Sequence, residues 1–365
     1  MTARSLPDFP WDSLRPARAR AADHPGGVVD LSIGTPVDPT PEVLRTALAT
    51  AGDAPGYPTA LGTSDVRTAA AGWLHRRLGV TLADPLGAVP SVIPTVGSKE
   101  LVALLPTLLG LRAGTVVIPE VAYPTYEVGA VVAGTSVLRA DTPPADAGDA
   151  VLVWLNSPGN PHGRVLGVDE LRAWVAWGRA HGVPVVADEC YVELGWEVQP
   201  VSVLHPSVAG ASHEGLLAVH SLSKQSTAAG YRAGLLSGDP ALVGRVWEAR
   251  RHLGLLVPTP VQAALAAALA DDTHVELARS RYGARRERLR SAVEAWGGRI
   301  EHSGAGLYLW VTRDEDCWTT IDRLASLGIV AAPGSFYGPA GERHVRMALT
   351  ATDERIDAAV QRLAG

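Results

Sequence analysis

The segment from about residue 90 to residue 240 constrains the fold most strongly, because short β-rich apolar runs alternate there with helical patterns. The clearest helical pattern spans residues 168–181 and is followed by Gly182, a residue type that favours the position just past a helix. Such alternation predicts an α/β core with a largely parallel sheet that is covered on both faces. The predicted buried strands lie at residues 114–120, 134–140, 150–156, 183–189, 216–222 and 233–239.

Beyond about residue 240 the pattern changes to that of an α+β domain. Residues 274–297 place charged and apolar residues at helical spacing, and short β-rich runs and further helices follow. A chain of 365 residues also exceeds the usual size of one compact core. We therefore predict a large domain over residues 46–260 and a smaller domain over residues 261–365. The proline-rich residues 1–45 are expected to form an N-terminal arm and part of the small domain.

Composition excludes several functional classes. The formal net charge of −6 and the pI near 6.0 lack the basic footprint of a nucleic-acid binder. Two cysteines, Cys190 and Cys317, are too few for a disulfide framework, and the histidines show no metal-ligand spacing. The N-terminus lacks the apolar core of a secretory signal, and the most apolar run, residues 101–111, is too short to span a membrane. We expect a cytoplasmic protein with no metal, nucleic-acid or membrane partner.

Lysine is unusually rare in this chain. Only Lys99 and Lys224 occur among 32 basic residues, and the remaining 30 are arginines. A preference for arginine codons accounts for most of this depletion but not for the two lysines that remain. Arginine can replace lysine as a surface cation but not as a nucleophilic amine. Lys224 is therefore the first candidate for chemistry.

Polar side chains follow several predicted strands where those strands end. Any one of them has a structural explanation, such as a helix cap or a turn. Ligands bind at the carboxyl ends of strands in α/β sheets, so their joint occurrence at one sheet edge favours a functional site. These residues are Asn156, Asn160, Asp188, Tyr191, Ser221, Ser223 and Lys224.

The residue types around Lys224 suit one particular cofactor. A desolvated lysine amine forms Schiff bases, while hydroxyls and an arginine, here Ser221, Ser223 and Arg232, bind a phosphate dianion. Gly97, Ser98 and Lys99 open a predicted helix, whose first N–H groups favour an anion. Asp188 could pair with a protonated ring nitrogen. This combination points to pyridoxal 5′-phosphate (PLP).

The motifs that carry these residues resemble those of class I/II aminotransferases, which have PLP-dependent fold type I: a large domain with a mixed, mostly parallel sheet and a smaller α+β domain. The resemblance runs nearly end to end. It rests on the stretches SLSKQSTAAGYRAG, NSPGNPHG, ADECY, PEVAYPTY and GYPTALGTSDVR.

The resemblance implies a role for each matching residue. Lys224 would hold the cofactor covalently and move protons, with Asp188 on the pyridinium nitrogen. Asn160 and Tyr191 would bond the cofactor phenolate, and Tyr123 would stack on the ring. The implied phosphate ligands are Gly97, Ser98, Lys99, Ser221, Ser223 and Arg232, together with Tyr57 from a neighbouring subunit, which predicts a homodimer.

Two further motifs resemble the substrate-binding elements of the family. HVRMAL would supply Arg346 to clamp the substrate α-carboxylate, and LSIGTP would bring Gly34, like Asn160, close to the substrate. The whole-chain pattern resembles actinobacterial-type N-succinyldiaminopimelate aminotransferases of lysine biosynthesis. We thus expect N-succinyl-L,L-diaminopimelate as the amino donor and 2-oxoglutarate as the acceptor. Another amino-acid aminotransferase, a PLP-dependent C–S lyase and a PLP-binding regulator are the alternatives.

Overall fold

The computed structural model describes residue 6 and residues 8–365; the other residues of the predicted N-terminal arm, 1–5 and 7, lie outside the described part. The helices are α1 Arg15–Ala22, α2 Glu42–Thr50, α3 Ser64–Leu78, α4 Gly97–Leu108, α5 Thr125–Ala133, α6 Val168–His181, α7 Pro206–Ala209, α8 Leu222–Gln225, α9 Pro240–Leu253, α10 Thr259–Ala270, α11 Thr273–Ala295, α12 Cys317–Ser326 and α13 Asp353–Leu363. The strands are β1 Val29–Asp30, β2 Val92–Val96, β3 Thr115–Ile118, β4 Ser136–Arg139, β5 Ala150–Asn156, β6 Val185–Asp188, β7 Leu216–Ser221, β8 Ala233–Gly238, β9 Arg299–Ile300, β10 Tyr308–Thr312, β11 Ile329–Val330, β12 Ala332–Pro333 and β13 His344–Ala348.

A seven-stranded sheet forms the centre of the molecule, in the order β2-β8-β7-β6-β5-β3-β4. Strands β4, β3, β5, β6 and β7 pair in parallel, whereas β8 is antiparallel to both of its neighbours. Each strand predicted between residues 114 and 239 is present, and α6 begins and ends where its pattern predicts. The predicted mixed, mostly parallel α/β sheet is therefore confirmed.

Strand β2 is the member of this sheet that the sequence pattern does not predict. It contains Pro94, which has no backbone N–H to donate to a neighbouring strand. The structure accommodates this residue because β2 lies at the sheet edge and pairs only with β8, where Pro94 faces Leu235. Proline is tolerated in such an edge strand but not in a central one.

Helices cover both faces of the large sheet, as the apolar strands require. Along β5, Leu152 and Trp154 pack into a core with α4, α5 and α9, whereas Val153 and Leu155 pack on the opposite face with α3, α6 and α10. Alternate side chains of a strand point to opposite faces, so an all-apolar strand needs both layers. The sheet is therefore packed on both faces, which fixes the positions of the residues at its carboxyl edge.

A second core surrounds the antiparallel sheet β12-β13-β10-β9 and the parallel pair β1-β11. It takes side chains from α12, α13 and the C-terminal half of α11, and also Leu14 and Ala17 from the N-terminal segment. Helix α10 spans the predicted boundary at residue 260, and its Leu265 lies in the core of the large sheet with α3. The domain boundaries remain predictions.

The fold brings three carboxyl strand ends together with the second sheet. Asn156 of β5 pairs with Asp188 of β6, and β7 ends beside them at Ser221. The chain leaving β1 reaches the same edge, because Leu31 bonds both Val330 and Ala348 through its backbone. Among the described helices, none has the length and apolar character needed to cross a bilayer.

Candidate active site

Lys224 lies on α8, a single helical turn that begins directly after β7. Ser221 caps this turn, since its Oγ accepts a hydrogen bond from the backbone N–H of Ser223 at 3.1 Å. The half-buried Lys224 donates from Nζ to the carbonyl oxygen of Gly34. Burial lowers the pKa of Lys224, and the positive charges of Arg346 and Arg232 act in the same direction. A larger fraction of this amine is therefore neutral near pH 7 than in an exposed lysine.

Asp188 is a buried carboxylate at the end of β6. Its Oδ2 accepts a hydrogen bond from Tyr126 Oη at 2.9 Å, and its Oδ1 accepts one from the backbone N–H of Cys190 at 3.2 Å. Burial raises the pKa of Asp188, although the hydrogen bonds from Cys190 and Tyr126 oppose that shift. A carboxylate held this way is suited to pair with a protonated group that enters the site.

The N-terminus of α4 and Arg232 converge on one spot. Gly97, Ser98 and Lys99 form the first turn of α4, whose N–H groups have no partner within the helix. Arg232 is exposed, and its backbone has a left-handed conformation (φ 52°). Its guanidinium lies so close to Gly97 that a Cβ on Gly97 would be 2.3 Å from Arg232 Nη2. Helix dipole and guanidinium together make an anion site.

The side chains of Ser221, Ser223 and Lys99 in the predicted phosphate cradle differ in position. The hydroxyl of Ser221 donates to Ser223 Oγ at 2.8 Å, so both serines lie beside Lys224 at the end of β7. The side chain of Lys99 is exposed, and its Nζ lies 5.7 Å from the ring centre of Phe9. The part of Lys99 that belongs to the α4 N-terminus is therefore its backbone N–H and not its side chain.

Arg346 on β13 is buried, with 3% of its surface exposed. Its Nη1 donates to Asn160 Oδ1 at 2.9 Å and its Nη2 to the Ser32 carbonyl oxygen at 2.6 Å. Its guanidinium carbon lies 4.0 Å from the ring centre of Tyr308, while Nε has no hydrogen-bond partner among the described residues. A buried guanidinium with unused donor capacity suits a carboxylate ligand.

Aromatic side chains surround the same space. Tyr123 follows β3 and packs edge-to-face against Tyr126, with ring centres 5.9 Å apart. Burial raises the pKa of Tyr123 to about 12. Tyr191 follows β6, and its Oη lies 3.0 Å from Tyr308 Oη; burial also raises the pKa of Tyr191. Tyr123 and Tyr191 are therefore neutral phenols near pH 7.

Comparison with known proteins identifies the family. A family model described as aminotransferase class I and II matches residues 26–363. The chain belongs to this family. This aminotransferase is accordingly PLP-dependent and has the fold of type I PLP enzymes.

Its similarity to individual aminotransferases extends over the whole chain. It is 58% identical to 4-dedimethylamino-4-oxo-anhydrotetracycline transaminase OxyQ of Streptomyces rimosus, over 99% of each chain. It is 55% identical to probable aminotransferase Rv1178 of Mycobacterium tuberculosis, over 98% of this chain and 85% of that one. A probable N-succinyldiaminopimelate aminotransferase from Thermus thermophilus superposes with a TM-score of 0.86 at 27% identity, covering 98% and 99% of the two chains.

The site of this aminotransferase fits PLP on structural grounds. Gly97 leaves open the space beside Arg232 that a side chain would fill, and Arg232 donates to the Ala229 carbonyl through Nη1 alone, so donors remain for a phosphate. The buried Asp188 can accept a bond from a ring N–H, and the Lys224 amine lies close enough to Arg232 for that charge to lower its pKa. Phosphate, ring nitrogen and aldehyde thus each have a matching group.

Tyr57 lies apart from the other predicted residues. Its side chain is 100% exposed, so within one protomer of the aminotransferase it contacts neither Lys224 nor the α4 N-terminus. Its predicted role in the neighbouring subunit's site remains a prediction.

The motifs assign no role to Tyr126, Tyr308 or Ser32, although Tyr126 ends the stretch PEVAYPTY and Ser32 lies in LSIGTP. Tyr126 follows Tyr123 by three residues on the first turn of α5, so helical spacing could have indicated it. Tyr308 shares a sheet face with Arg346 only because Trp310 of β10 pairs opposite Arg346 of β13. That register is not visible in the sequence, so no local signal could have found Tyr308.

Proposed function

We propose that this aminotransferase moves the amino group of N-succinyl-L,L-diaminopimelate to 2-oxoglutarate, with Lys224, Asp188 and Arg346 as its principal active-site residues. The observation that carries the proposal is the buried Arg346, which has unused donor capacity and faces Asn160 at 2.9 Å. Both substrates, and the glutamate formed, bear a carboxylate beside the reacting carbon, which such a guanidinium recognises. A charged hydrogen bond of this kind contributes about 1.5–3 kcal/mol.

PLP, when bound, supplies an aldehyde that takes up the amino group and a ring that accepts the electron pair of the substrate Cα–H bond. Lys224 would hold the cofactor through Nζ and act as base and acid at the substrate Cα. Its lowered pKa favours this role, because only the neutral amine can accept a proton. Asp188 would keep a proton on the pyridine nitrogen. Positioned proton transfer contributes about 10²–10⁴-fold.

The remaining site residues would bind and orient. The N–H groups of residues 97–99, the hydroxyls of Ser221 and Ser223, and Arg232 would hold the phosphate. Asn160 and Tyr191 would bond the phenolate oxygen, and Tyr123 would stack on the ring. Gly34 would line the substrate side of the pocket, where its carbonyl already accepts a hydrogen bond from Lys224.

A homodimer is part of this proposal. Tyr57 is fully exposed and lies on the segment that follows α2, so its hydroxyl is free to reach a phosphate held by another subunit. Mixing Tyr57→Phe and Lys224→Ala subunits tests this: hybrid dimers should regain one site with both residues intact. Hybrids with no more activity than the two parent variants would contradict the shared site.

The high identity to OxyQ favours a second candidate substrate. That relative is named as a transaminase of a polycyclic ketone, and it resembles this chain more closely than the LL-diaminopimelate aminotransferases, such as the one of Trichormus variabilis at 31% identity. A polycyclic ketone would take the place of 2-oxoglutarate as acceptor, whereas glutamate would serve as its amino donor at Arg346.

A half-reaction screen separates these possibilities. Purified holoenzyme is mixed with N-succinyldiaminopimelate, acetylornithine, glutamate, aspartate or aromatic amino acids, and bleaching of the visible cofactor band is followed. We expect N-succinyldiaminopimelate and glutamate to react fastest. Equal rates with every donor would remove the proposed substrate. Release of pyruvate and ammonia from an added amino acid with a Cβ–S bond, without a keto acid, would indicate a C–S lyase instead.

Two variants test the assignment of residues. Lys224→Ala should abolish covalent attachment of the cofactor, whereas persistence of a protein-linked cofactor after borohydride reduction would show Lys224 to be wrongly assigned. Arg346→Lys should raise the glutamate KM about 10-fold or more, because one charged hydrogen bond of a two-pronged contact is lost. Arg251→Lys, at an exposed position of α9, is the control.

A further inference from the structure

Tyr308 is a buried phenol at the candidate active site, and the proposed mechanism gives it no role. It lies on β10, with 4% of its surface exposed, and its ring supports the Arg346 guanidinium at 4.0 Å. Such a cation–π contact needs only the ring and not the hydroxyl. The cation–π contact therefore does not account for the hydroxyl group of Tyr308.

The hydroxyl of Tyr308 has one hydrogen-bond partner among the described residues, Tyr191 Oη at 3.0 Å, and either oxygen can donate. A phenol carries a single donor hydrogen. If Tyr191 gives its hydrogen to the cofactor phenolate, it has none left for Tyr308. Tyr308 must then be the donor, and the hydrogen bonds run in one direction, from Tyr308 through Tyr191 to the cofactor.

The space around the Tyr308 hydroxyl is closely fitted. A Cβ on Gly34 would lie 2.2 Å from Tyr308 Oη, so glycine at position 34 is what admits the hydroxyl. The Gly34 carbonyl accepts the hydrogen bond of Lys224, and Arg346 stacks on the Tyr308 ring. The hydroxyl thus lies among the catalytic amine, the carboxylate-binding residue and Tyr191.

The charges around the two phenols differ. Burial disfavours ionisation of Tyr308, but the positive charges of Arg346 and Lys224 outweigh it and lower the pKa of Tyr308. Burial raises the pKa of Tyr191. A substrate carboxylate would offset the positive charge of Arg346, which would make Tyr308 a weaker acid and so a weaker hydrogen-bond donor to Tyr191. The other titratable groups near this pair are Cys190, Tyr123 and Tyr337.

We propose that Tyr308 is a positioning residue that couples carboxylate binding at Arg346 to the hydrogen bond between Tyr191 and the cofactor phenolate. The inference rests on the proposed roles of Arg346 and Tyr191. Carboxylate binding weakens donation by Tyr308, which in turn weakens donation by Tyr191. The cofactor therefore responds to an occupied carboxylate site before any proton leaves the substrate.

The test uses holoenzyme and succinate, a carboxylate that has no amino group to react. The visible cofactor band is titrated with pH, with and without saturating succinate. In the wild-type enzyme succinate should shift the midpoint of that titration. In Tyr308→Phe, which keeps the ring under Arg346, the shift should fall at least threefold while succinate affinity changes less than about threefold. Tyr191→Phe should reduce the shift equally, and the double variant should reduce it no further.

Tyr337→Phe is the matched control. The Tyr337 ring lies 5.3 Å from the Arg346 guanidinium carbon, but its hydroxyl has no hydrogen-bond partner among the described residues. This variant should keep the wild-type shift. A full shift in Tyr308→Phe, or no succinate-induced shift in the wild type, would overturn the coupling. Neither result affects the covalent attachment through Lys224, so the proposed function would stand.

Discussion

Lys224 donates its hydrogen bond to the carbonyl oxygen of Gly34, a residue 190 positions earlier in the chain. The N-terminal segment, predicted as an arm and part of the small domain with Gly34 near the substrate, thus supplies a direct partner of the candidate catalytic amine. Thr40 strengthens this connection, since its hydroxyl donates to the Thr227 carbonyl at 3.2 Å, just after Lys224. The position of the amine therefore depends on the N-terminal segment as well as on the large sheet.

Gly34→Ala should impair turnover without loss of the cofactor. The added methyl group would meet Tyr308 Oη at 2.2 Å, and the phenol cannot retreat because its ring is packed under Arg346. Overpacking of this kind costs about 1–3 kcal/mol, so kcat/KM should fall about 5- to 150-fold. Steady-state kinetics and the visible spectrum measure the two effects. Wild-type kcat/KM, or loss of the cofactor band, would contradict the expectation.

Gly97→Ala should have the opposite signature, with weaker cofactor binding. Gly97 has φ 67°, and a Cβ there would lie 2.3 Å from Arg232 Nη2, so alanine would displace the guanidinium from the α4 N-terminus. Loss of one charged hydrogen bond, about 1.5–3 kcal/mol, should weaken PLP binding about 10- to 150-fold. Fluorescence titration of apoprotein with PLP measures the affinity.

Gly72→Ala controls for both glycine variants. Gly72 lies within α3, and nothing is within 4 Å of the position its Cβ would take. Alanine there should leave kcat/KM and PLP affinity unchanged and stabilise the protein by about 0.5–1 kcal/mol. If Gly72→Ala weakened PLP binding as much as Gly97→Ala, the effect would not be local to Arg232.

Much of the fold is predictable because its signals are local. The α6 pattern and the β5 run carry their periodicity within a few residues, and both elements appear with the predicted bounds. The residues that follow β5, β6 and β7 are predictable as a site for the same reason. Parallel strands place their carboxyl ends at one edge, so Asn156, Asp188 and Ser221 must meet there.

The unpredicted parts depend on contacts between distant segments. Strand β2 forms despite Pro94 because it lies at the sheet edge, where the N–H that proline lacks is not needed for pairing with a second strand. Tyr308 reaches Arg346 through the β10–β13 register, and Ser32 reaches it through the chain that follows β1. Neither contact leaves a mark in its own stretch of sequence.

Asp188→Asn should stabilise the apoprotein at neutral pH while it impairs catalysis. Folding raises the pKa of Asp188 above its unfolded value because the carboxylate is buried. The folded state then binds more protons than the unfolded state between these two pKa values, so stability falls as pH rises through that window and stays lower above it. Asparagine has no charge to bury, and its amide oxygen can still accept from Tyr126. Activity should fall about 100-fold or more, as for loss of a positioned acid–base partner.

Urea unfolding of the wild-type and Asp188→Asn apoproteins over a pH series measures this difference. The two free energies of unfolding should converge at acid pH and diverge toward neutrality, with the variant more stable. Asp322→Asn, at an exposed position of α12, should follow the wild type. A neutral-pH stability of Asp188→Asn below that of the wild type would mean that burial of the carboxylate is not the dominant effect.

Ser226→Ala should destabilise the protein through a hydrogen-bond network that ties α8 to α11. Ser226 is fully buried and its Oγ lies 2.8 Å from His274 Nε2, while His274 Nδ1 lies 2.7 Å from Asp271 Oδ2. Without the hydroxyl, a buried imidazole nitrogen has no partner, which costs about 1–3 kcal/mol. Ser13→Ala, at an exposed hydroxyl, should cost little. A double-mutant cycle with His274→Ala should give a coupling of about 0.5–3 kcal/mol, measured from urea unfolding. Additive losses would show that the two side chains stabilise the α8–α11 contact independently.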